Sequence, residues 1–397
     1  MTRPLFTPVS VKVLKALPEL AEIRREWEIW PGNRDSDMDS FLTFLGSNLG
    51  TVRPHVVVVY RAGRPDAILV GRIDLSYIAC RLGYLRLNLP AKILCFVYGA
   101  LRGNASEENC ALIVSSVLQS LAEGEADVAY MNFLKQDSDI YRLVTQKPTL
   151  LCRDYIRLVQ PHFAATLPTS AEEFYRSLSS GARWQAKSKQ RKLIRDFAGD
   201  VRVRCFREVA ELEMMMQDLE QVAKKSYQRG LGVGFSDGPV LRSQLRLKAE
   251  RGWLRGYILY VNGRPSAFWV GDVNGGTFGS DYLAFDADLG KYSPGMFLLY
   301  KVIEGFCECS GEMVTAVDFA TGHAQYKQLL SNQVWSEASV YIYAPSLKGI
   351  GLNLIRTLVV GVDQTVKRAL ARTNLLRKAK KAWRDHMRPR EAVHVDA

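Results

Sequence analysis

Gly263-Arg-Pro-Ser-Ala-Phe-Trp-Val-Gly-Asp272 opens the stretch Gly263–Leu330, on which the interpretation of the fold depends. Its Gly-Arg-Pro start suits a tight turn, and the apolar, aromatic run that follows predicts a strand. Further along, Ser293-Pro-Gly295 is typical of the start of a helix. The predicted elements are, in order, strand Ala267–Val273, strand Thr277–Phe285, helix Met296–Cys309, strand Met313–Phe319 and helix Gln325–Leu330.

Four polar residues of this stretch fall at or near the ends of the predicted elements. They are Asp281, Ser293, Asp318 and Tyr326. Functional side chains of α/β proteins tend to lie at such positions. This stretch is therefore the first place to expect a site.

The same turn occurs twice in the chain. Tyr60-Arg-Ala-Gly-Arg-Pro-Asp-Ala67 returns as Tyr260-Val-Asn-Gly-Arg-Pro-Ser-Ala267, and apolar runs flank both copies, so each predicts a β-hairpin. The elements predicted after the first copy repeat the order found after the second, which indicates a duplicated α/β unit with mixed sheets.

The two copies differ at the positions of interest. The first copy has Arg102-Gly-Asn104 in place of Ser293-Pro-Gly295, and it has Asn132 where the second has Asp318. We therefore expect a structural first domain (residues 1–165), a functional second domain (166–345) and a tail (346–397).

Composition limits the class of partner. The 397 residues are 47% hydrophobic and 24% charged, with a formal net charge of +12. This is an ordinary globular composition, and its basic balance favours an anionic partner such as a phosphorylated cofactor, a sugar nucleotide, a nucleic acid or a lipid headgroup.

Metal, disulfide and membrane-spanning roles are not indicated. The seven cysteines form no C-x-x-C pair and the five histidines no H-E-x-x-H motif, so we expect reduced thiols and no metal. No run of 18 or more apolar residues and no signal peptide is recognisable, which favours a cytoplasmic protein.

A basic helix is predicted between the two copies. Pro161–Thr169 is interpreted as a linker, and the segment Arg183–Arg195 then carries six cations and no acid. Helical spacing places Arg183, Lys187 and Arg191 on one face. Two interpretations stay open: a solvated basic face, or a clamp for a phosphorylated substrate near the domain junction.

The tail is predicted to be helical and basic. Leu347–Arg388 has apolar residues at helical spacing, and the segment after Pro345 holds twelve Lys or Arg against four Asp or Glu, a net +8. Either this helix packs on the second domain, or it docks on anionic lipid or on a membrane-bound partner at the inner face of the membrane.

Three motifs together carry a family resemblance. The run Phe285-Asp-Ala-Asp-Leu-Gly-Lys-Tyr-Ser-Pro-Gly-Met-Phe-Leu-Leu-Tyr-Lys-Val-Ile-Glu304, with Val317-Asp-Phe-Ala-Thr-Gly322 and Tyr326-Lys327, resembles the CelD-type acetyltransferases linked to cellulose and exopolysaccharide biosynthesis. The resemblance spans roughly Phe41–Tyr343. It implies the GNAT superfamily of acyl-CoA transferases and, as in Fem-type transferases, two GNAT-like units in tandem.

The predicted donor site departs from the superfamily pattern. Where that pattern has a pyrophosphate loop, Gln/Arg-x-x-Gly-x-Gly/Ala, this chain has Lys291-Tyr-Ser-Pro-Gly-Met296. A helix beginning here offers free N–H groups and a positive dipole to the phosphates of acetyl-CoA or another acyl-CoA. Lys291, Ser293, Gly295 and Met296 are thus the predicted donor contacts.

Catalytic and acceptor contacts complete the prediction. Asp318 and Asp281 are candidates for the general base, and the resemblance implies that Tyr326 protonates the departing thiolate. The predicted substrate contacts are Arg183, Lys187, Arg191 and Lys327.

The expected activity is acyl transfer from acyl-CoA to an amine or hydroxyl of a sugar or polysaccharide precursor; that acceptor follows from the resemblance. Two alternatives stay open: a Fem-like peptidyltransferase that uses aminoacyl-tRNA, whose phosphates the basic helix would bind, and a non-catalytic scaffold of a polysaccharide synthase held at the membrane by the tail. Because the basic helix has few interleaved aromatics, nucleic acid is the less favoured partner.

Overall fold

The computed structural model describes residues 8–48, 52–83, 85–197, 200–230, 234–308 and 313–372. Within these ranges the chain forms one continuous mixed sheet covered by helices on its faces. This arrangement confirms the predicted α/β class. The part of the predicted tail that follows Arg372 lies outside the described residues.

Thirteen strands occur in the described part of the chain. They are β1 (Val9–Leu14), β2 (Val52–Pro54), β3 (Val56–Arg61), β4 (Arg64–Leu82), β5 (Leu85–Gly103), β6 (Val128–Lys135), β7 (Leu158–Thr166), β8 (Val201–Phe206), β9 (Leu254–Val261), β10 (Arg264–Asn274), β11 (Thr277–Phe285), β12 (Ala316–Thr321) and β13 (Gln333–Tyr343). Their order across the sheet is β1-β3-β4-β5-β6-β13-β7-β12-β11-β10-β9-β8, and β2 pairs with β4.

Thirteen α-helices lie among the same residues. They are α1 (Leu17–Ala21), α2 (Arg24–Ile29), α3 (Met38–Gly46), α4 (Glu107–Ala122), α5 (Asp139–Gln146), α6 (Ala171–Ser177), α7 (Ser180–Asp196), α8 (Leu212–Lys225), α9 (Tyr227–Gly230), α10 (Pro239–Glu250), α11 (Pro294–Glu308), α12 (Gln325–Leu330) and α13 (Leu347–Arg372). Short 3₁₀ helices lie at Arg34–Ser36, Leu150–Cys152, Val209–Glu211 and Ala287–Tyr292.

Both Gly-Arg-Pro turns form the predicted β-hairpins. In the first, Arg61 pairs with Arg64 across Ala62 and Gly63; in the second, Val261 pairs with Arg264. The two residues of each loop have positive φ, at 50° and 75° in the first and at 49° and 70° in Asn262-Gly263. Two successive left-handed residues give the turn whose twist matches that of the flanking strands.

The two halves of the sheet have matching connections. In each, an antiparallel hairpin leads to a third strand, a helix follows, and the next strand pairs in parallel with the third: β5 with β6, and β11 with β12. Each half also has its own apolar core, with a second cluster under α8 and α10 in the later half. The predicted tandem arrangement is therefore present.

The halves exchange strands at the centre of the sheet. β7 pairs with β12 of the second half, and β13 pairs with β6 of the first. β7 and β13 also pair with each other. The interpretation of Pro161–Thr169 as a linker is therefore wrong for most of that segment, because Leu158–Thr166 is a central strand with partners on both sides. The predicted domain boundaries stay predictions.

Candidate active site

A cleft opens where the parallel strands β11 and β12 separate. They pair only from Thr277–Gly279 to Ala316–Asp318. Beyond that point β11 remains paired with β10, and β12 remains paired with β7. A cleft of about 720 Å³ extends to this gap, and Gly279, Ser280, Asp318 and Ala320 lie along it. A gap between parallel strands can admit an extended ligand that bonds to their unpaired backbone groups.

The other wall of the cleft comes from the first half. Trp30, Asn33, Arg34 and Tyr98 all line it. Arg102 stabilises this wall, because its guanidinium donates to the carbonyls of Ser36 at 2.8 Å and of Trp30 at 2.5 Å. The cleft is therefore shared by both halves of the chain.

An ion cluster fastens this wall to the second half. Arg34 donates to Asp272 at 2.7 Å, to Asp281 at 2.5 Å and to the carbonyl of Gly279 at 2.9 Å. Lys248 contacts the same two carboxylates at 2.7 and 2.5 Å. Gly279 admits the guanidinium, since a Cβ there would lie 2.3 Å from Nη1 of Arg34.

Asp281 occupies a β-bulge within this cluster. Val270 pairs with Tyr282 and Gly271 with Ser280, which leaves Asp281 as the extra residue. Burial favours its neutral form, but Arg34 and Lys248 together lower the pKa of Asp281. This geometry favours ion pairing over the predicted role as general base, which stays untested.

Asp318 belongs to a second cluster, centred on His162. Nε2 of His162 donates to Oδ1 of Asp318 at 2.6 Å, and Nδ1 donates to Oε2 of Glu337 at 3.1 Å. His162 and Glu337 are each 1% exposed, whereas the side chain of Asp318 is 28% exposed. Trp335 stacks on the imidazole with 4.3 Å between ring centroids. Asp318 is thus the member of this trio that faces the cleft.

The two carboxylates hold the imidazole in its charged form. Burial alone would lower the pKa of His162, but the hydrogen bonds to Asp318 and Glu337 raise it to about 9. In return, burial favours neutral Asp318, while His162 lowers the pKa of that carboxyl. The amide of Ala320 also donates to Oδ1 of Asp318, at 2.7 Å. Both bonds use Oδ1, which leaves Oδ2 to a ligand.

Tyr326 and Lys327 lie beyond the end of β12, on α12. Tyr326 packs edge-on against Phe319, and burial raises the pKa of its phenol to about 12. Lys327 is buried and donates to the carbonyls of Ala320 and Thr321 at 3.2 and 2.7 Å. Burial lowers the pKa of Lys327 to about 8, opposed by the charge of Asp318. Lys327 thus binds the end of β12 itself.

The predicted donor residues surround the start of α11. Ser293 has a φ of 53° and precedes Pro294, the first residue of the helix. Gly295 is buried, and a Cβ there would lie 3.2 Å from the ring of Phe285 at the end of β11. The N–H groups of Gly295 and Met296 belong to the first turn, where a helix has no internal acceptor.

The basic helix α7 approaches this point. Nζ of Lys189 donates to Oγ of Ser293 at 2.8 Å. Lys192 and Lys291 both lie over the ring of Tyr292, at 5.4 and 4.9 Å from its centroid. Three cations therefore collect beside the first turn of α11, a favourable setting for phosphate groups.

The predicted contacts Arg183, Lys187 and Arg191 either have other partners or are exposed. Arg183 donates to the carbonyls of Arg176 and Leu178, at the end of α6. Lys187 and Arg191 are exposed on α7. Their predicted role in substrate binding stays a prediction.

The sequence prediction missed four residues of the cleft. His162, Glu337, Tyr98 and Arg34 fall outside the stretch on which it concentrated. Tyr98 is joined to the His162 cluster, since its hydroxyl donates to Glu337 at 3.0 Å. The alternation Val334-Trp-Ser-Glu-Ala-Ser-Val340 is a strand signal that could have located Glu337.

Residues 180–328 match the family described as acetyltransferase (GNAT) domain. All the residues predicted to form the site lie within this range. None of the curated proteins matches the sequence. The matched segment, which lies in the second half of the chain, is thus similar to a GNAT acetyltransferase domain.

Among solved structures, FemX is similar over 82% of this chain and 96% of its own, with 11% identity and a TM-score of 0.50. A protein of unknown function from Bacteroides thetaiotaomicron is similar over 84% of this chain and 100% of its own, at 11% identity and a TM-score of 0.47. A tandem GNAT protein from the clavulanic acid pathway is similar over 85% and 99%, at 9% identity and a TM-score of 0.46. The FemX similarity supports the fold.

Proposed function

We propose that this chain transfers an acyl group from acyl-CoA, most simply acetyl-CoA, to an amine or hydroxyl of a sugar or polysaccharide precursor. The proposal rests on one observation, the gap between β11 and β12. The start of α11 and three lysines lie beyond the end of β11, and Asp318, held by His162, lies on β12. The GNAT-type fold supports acyl transfer.

In this proposal the donor phosphates bind at the first turn of α11. The N–H groups of Gly295 and Met296, the hydroxyl of Ser293 and the ammonium groups of Lys291 and Lys189 supply donors and charge. The acyl arm then extends along the gap between β11 and β12. This places the thioester near Asp318.

The chemistry needs one base and one acid. The acceptor attacks the thioester carbonyl, the acceptor's proton passes to Oδ2 of Asp318, and the C–S bond breaks. The thiolate takes its proton from Tyr326, a phenol that is protonated at neutral pH and whose pKa burial raises further. His162 and Glu337 act as positioning residues, since they hold Asp318 without facing the cleft.

The lowered pKa of Asp318 favours an amine acceptor. A carboxylate paired with an imidazolium is a weak base. It can take a proton from the cationic nitrogen that forms when a neutral amine attacks, whereas a hydroxyl must lose its proton as it attacks. An amino sugar is therefore the preferred acceptor within the proposal.

The sugar itself is supported by the CelD-type resemblance and by the cleft. Trp30 and Trp253 line it together with Asn33, Asp35 and Arg102. Flat indole rings beside carboxylate, amide and guanidinium groups suit a polyhydroxylated ligand.

A second candidate is a Fem-like transfer from aminoacyl-tRNA. The similarity to FemX and the exposed cations of α7 favour it. Titration of the chain with acetyl-CoA, alone and in competition with tRNA, separates the candidates. Binding of acetyl-CoA that tRNA does not displace supports the proposal; binding of tRNA alone would replace it with the Fem-like function, and binding of neither would leave a scaffold.

The acceptor is tested by the release of CoA thiol in the presence of amino sugars or of the corresponding neutral sugars. We expect release with the amino sugars and its loss in Asp318→Asn. Equal release with the neutral sugars would contradict the amine preference.

A further inference from the structure

Three polar residues of α13 face the interior of the protein. Arg356 donates to Asp154 at 2.6 Å, and Asn353 donates to the carbonyls of Leu151 and Arg153 at 2.8 and 2.9 Å. Asp363 accepts from the amide of Gly83 at 2.9 Å. Arg356, Asn353 and Asp363 are all buried. The inner side of this helix is therefore held by satisfied polar contacts as well as by Leu352, Val359 and Val360, which pack in an apolar cluster.

The outer side of α13 is apolar. Leu354, Leu358, Val362 and Val366 follow one another at intervals of four residues and are 55%, 67%, 50% and 48% exposed. A surface helix in water normally shows the reverse arrangement, with its apolar stripe buried and its polar side exposed. The exposed apolar row of α13 departs from this arrangement, which indicates that the outer side meets something other than water.

The tip of the long β4–β5 hairpin extends this apolar surface. Leu82, Leu85 and Leu87 are 40%, 71% and 42% exposed. They share a face of the hairpin with Ile78 and Leu89, which pack into the cluster that includes Leu352 of α13. The α13 patch is defined as Leu82, Leu85, Leu87, Leu354, Leu358, Val362 and Val366.

The exposed charges of the three segments that form and border the α13 patch have one sign. Asp363 is the only acid of α13, and Asp154 is the only one in the segment 150–158; both are buried and paired. The hairpin from Leu75 to Leu89 has none. The exposed charged residues of these three segments are all cationic: Arg81, Arg86, Arg157, Lys348, Lys367 and Arg368. Of these, Lys348 is paired with Asp127 and Lys367 with Asp363. The sequence after Arg372 adds seven cations and three acids.

We infer that the α13 patch docks on the surface of an anionic lipid bilayer, with α13 lying in the plane of the interface. Apolar side chains surrounded by cations match acyl chains beneath anionic headgroups. A second copy placed on the same patch would bring like charges together instead. Among the described helices, none has both the length and the apolar composition needed to span a bilayer.

The test compares full-length proteins in co-sedimentation with vesicles of phosphatidylcholine alone or mixed with phosphatidylglycerol. We expect binding to the mixed vesicles and a loss of at least about tenfold in Leu354→Asp/Leu358→Asp, because a charge on the apolar face opposes insertion. Met214→Asp is the matched control, since Met214 is 49% exposed on another helix, and it should bind as the wild type does. Leu358→Gln, a milder change, should give a smaller loss.

Three outcomes would overturn the inference. The first is full binding by the double variant together with loss of binding in Lys378→Gln/Lys380→Gln/Lys381→Gln, which would assign docking to the tail. The second is an absence of vesicle binding by the wild type. The third is a wild-type dimer, seen by light scattering, that Leu354→Asp/Leu358→Asp converts to monomer, which would make a second copy the occupant. Circular dichroism of each variant verifies that it is folded.

Discussion

Nε2 of His162 lies 2.6 Å from Oδ1 of Asp318, although the two residues stand 156 positions apart and belong to different halves of the chain. The contact exists because β7 of the first half pairs with β12 of the second. Arg34 and Tyr98 of the first half line the same cleft. The proposed active site therefore needs the first half, which the sequence had predicted to be only structural.

The charged state of His162 makes stability depend on pH. Its pKa is about 9 in the folded chain and 6.5 ordinarily, so its contribution is complete below pH 6.5 and is lost as the pH rises through about 9. We expect the free energy of unfolding to fall across this window by up to about 3 kcal/mol. Urea titrations at several pH values should show this fall in the wild type but not in His162→Gln.

His323→Gln is the matched control, because His323 is exposed. It should keep the pH dependence of the wild type. An unchanged slope in His162→Gln would show that the imidazole is not held in its charged form.

The proposed role of Tyr326 as general acid predicts that loss of its hydroxyl lowers turnover without weakening the binding of acetyl-CoA. Tyr326→Phe removes the hydroxyl that protonates the thiolate but keeps the ring that packs on Phe319. We expect turnover to fall roughly a hundredfold, as is usual on loss of a general acid, with the Kd for acetyl-CoA little changed. Tyr77→Phe, at an exposed tyrosine of β4, should have little effect on either quantity. Unchanged turnover in Tyr326→Phe would remove this residue from the mechanism.

Arg34 is predicted to be essential for joining the two halves. Arg34→Met leaves Asp272 and Asp281 with Lys248 as their shared cation. Removing one partner of a buried ion pair costs about 3–5 kcal/mol, because the remaining charge stays buried. We expect a loss of this size in chemical denaturation. Arg246→Met, which breaks an exposed pair with Glu250, should cost less than about 1 kcal/mol. Equal losses in the two variants would contradict the structural role of Arg34.

Local signals accounted for most of the elements but not for their partners. The Gly-Arg-Pro turns and the limits of Thr277–Phe285 and Gln325–Leu330 follow from residues next to one another, and the structure confirms them. The exchange of β7 and β13 depends on pairing between distant segments, which no local pattern encodes. Pro161 made the strand that carries His162 resemble a linker, because proline is rare inside sheets.

Local sequence signals also did not predict the orientation of the basic helix α7. Charge spacing singled out Arg183, Lys187 and Arg191, but burial of Ala186 and Leu193 sets the rotation of α7 about its axis. That rotation brings Lys189 to Ser293 instead. Which cation meets the start of α11 is thus decided by packing.

Lys189 is predicted to contribute to donor binding. Lys189→Ala removes an ammonium group bonded to Ser293 beside the first turn of α11. An exposed charge contact of this kind contributes about 1 kcal/mol, so the Kd for acetyl-CoA should rise by about fivefold at low salt and less at high salt. Calorimetric titration measures both values. Lys224→Ala, at an exposed lysine of α8, should leave the Kd unchanged. A loss in Lys189→Ala that does not vary with salt would contradict an electrostatic contact with the phosphates.

Lys327 is predicted to give stability the opposite dependence on pH from His162. Its pKa is about 8 when folded and 10.5 ordinarily, so the folded chain binds fewer protons than the unfolded chain between these values. Stability contributed by this group therefore rises with pH from about 8 to 10.5, by up to about 3 kcal/mol.

Lys327→Met removes the titrating group but also leaves the carbonyls of Ala320 and Thr321 without its hydrogen bonds. The variant should therefore be compared with the wild type by the slope of its free energy of unfolding against pH, not by its absolute value. In urea titrations this free energy should rise less steeply with pH in Lys327→Met than in the wild type, while exposed Lys224→Ala keeps the wild-type slope. Identical slopes in Lys327→Met and the wild type would mean that burial does not lower the pKa of this lysine.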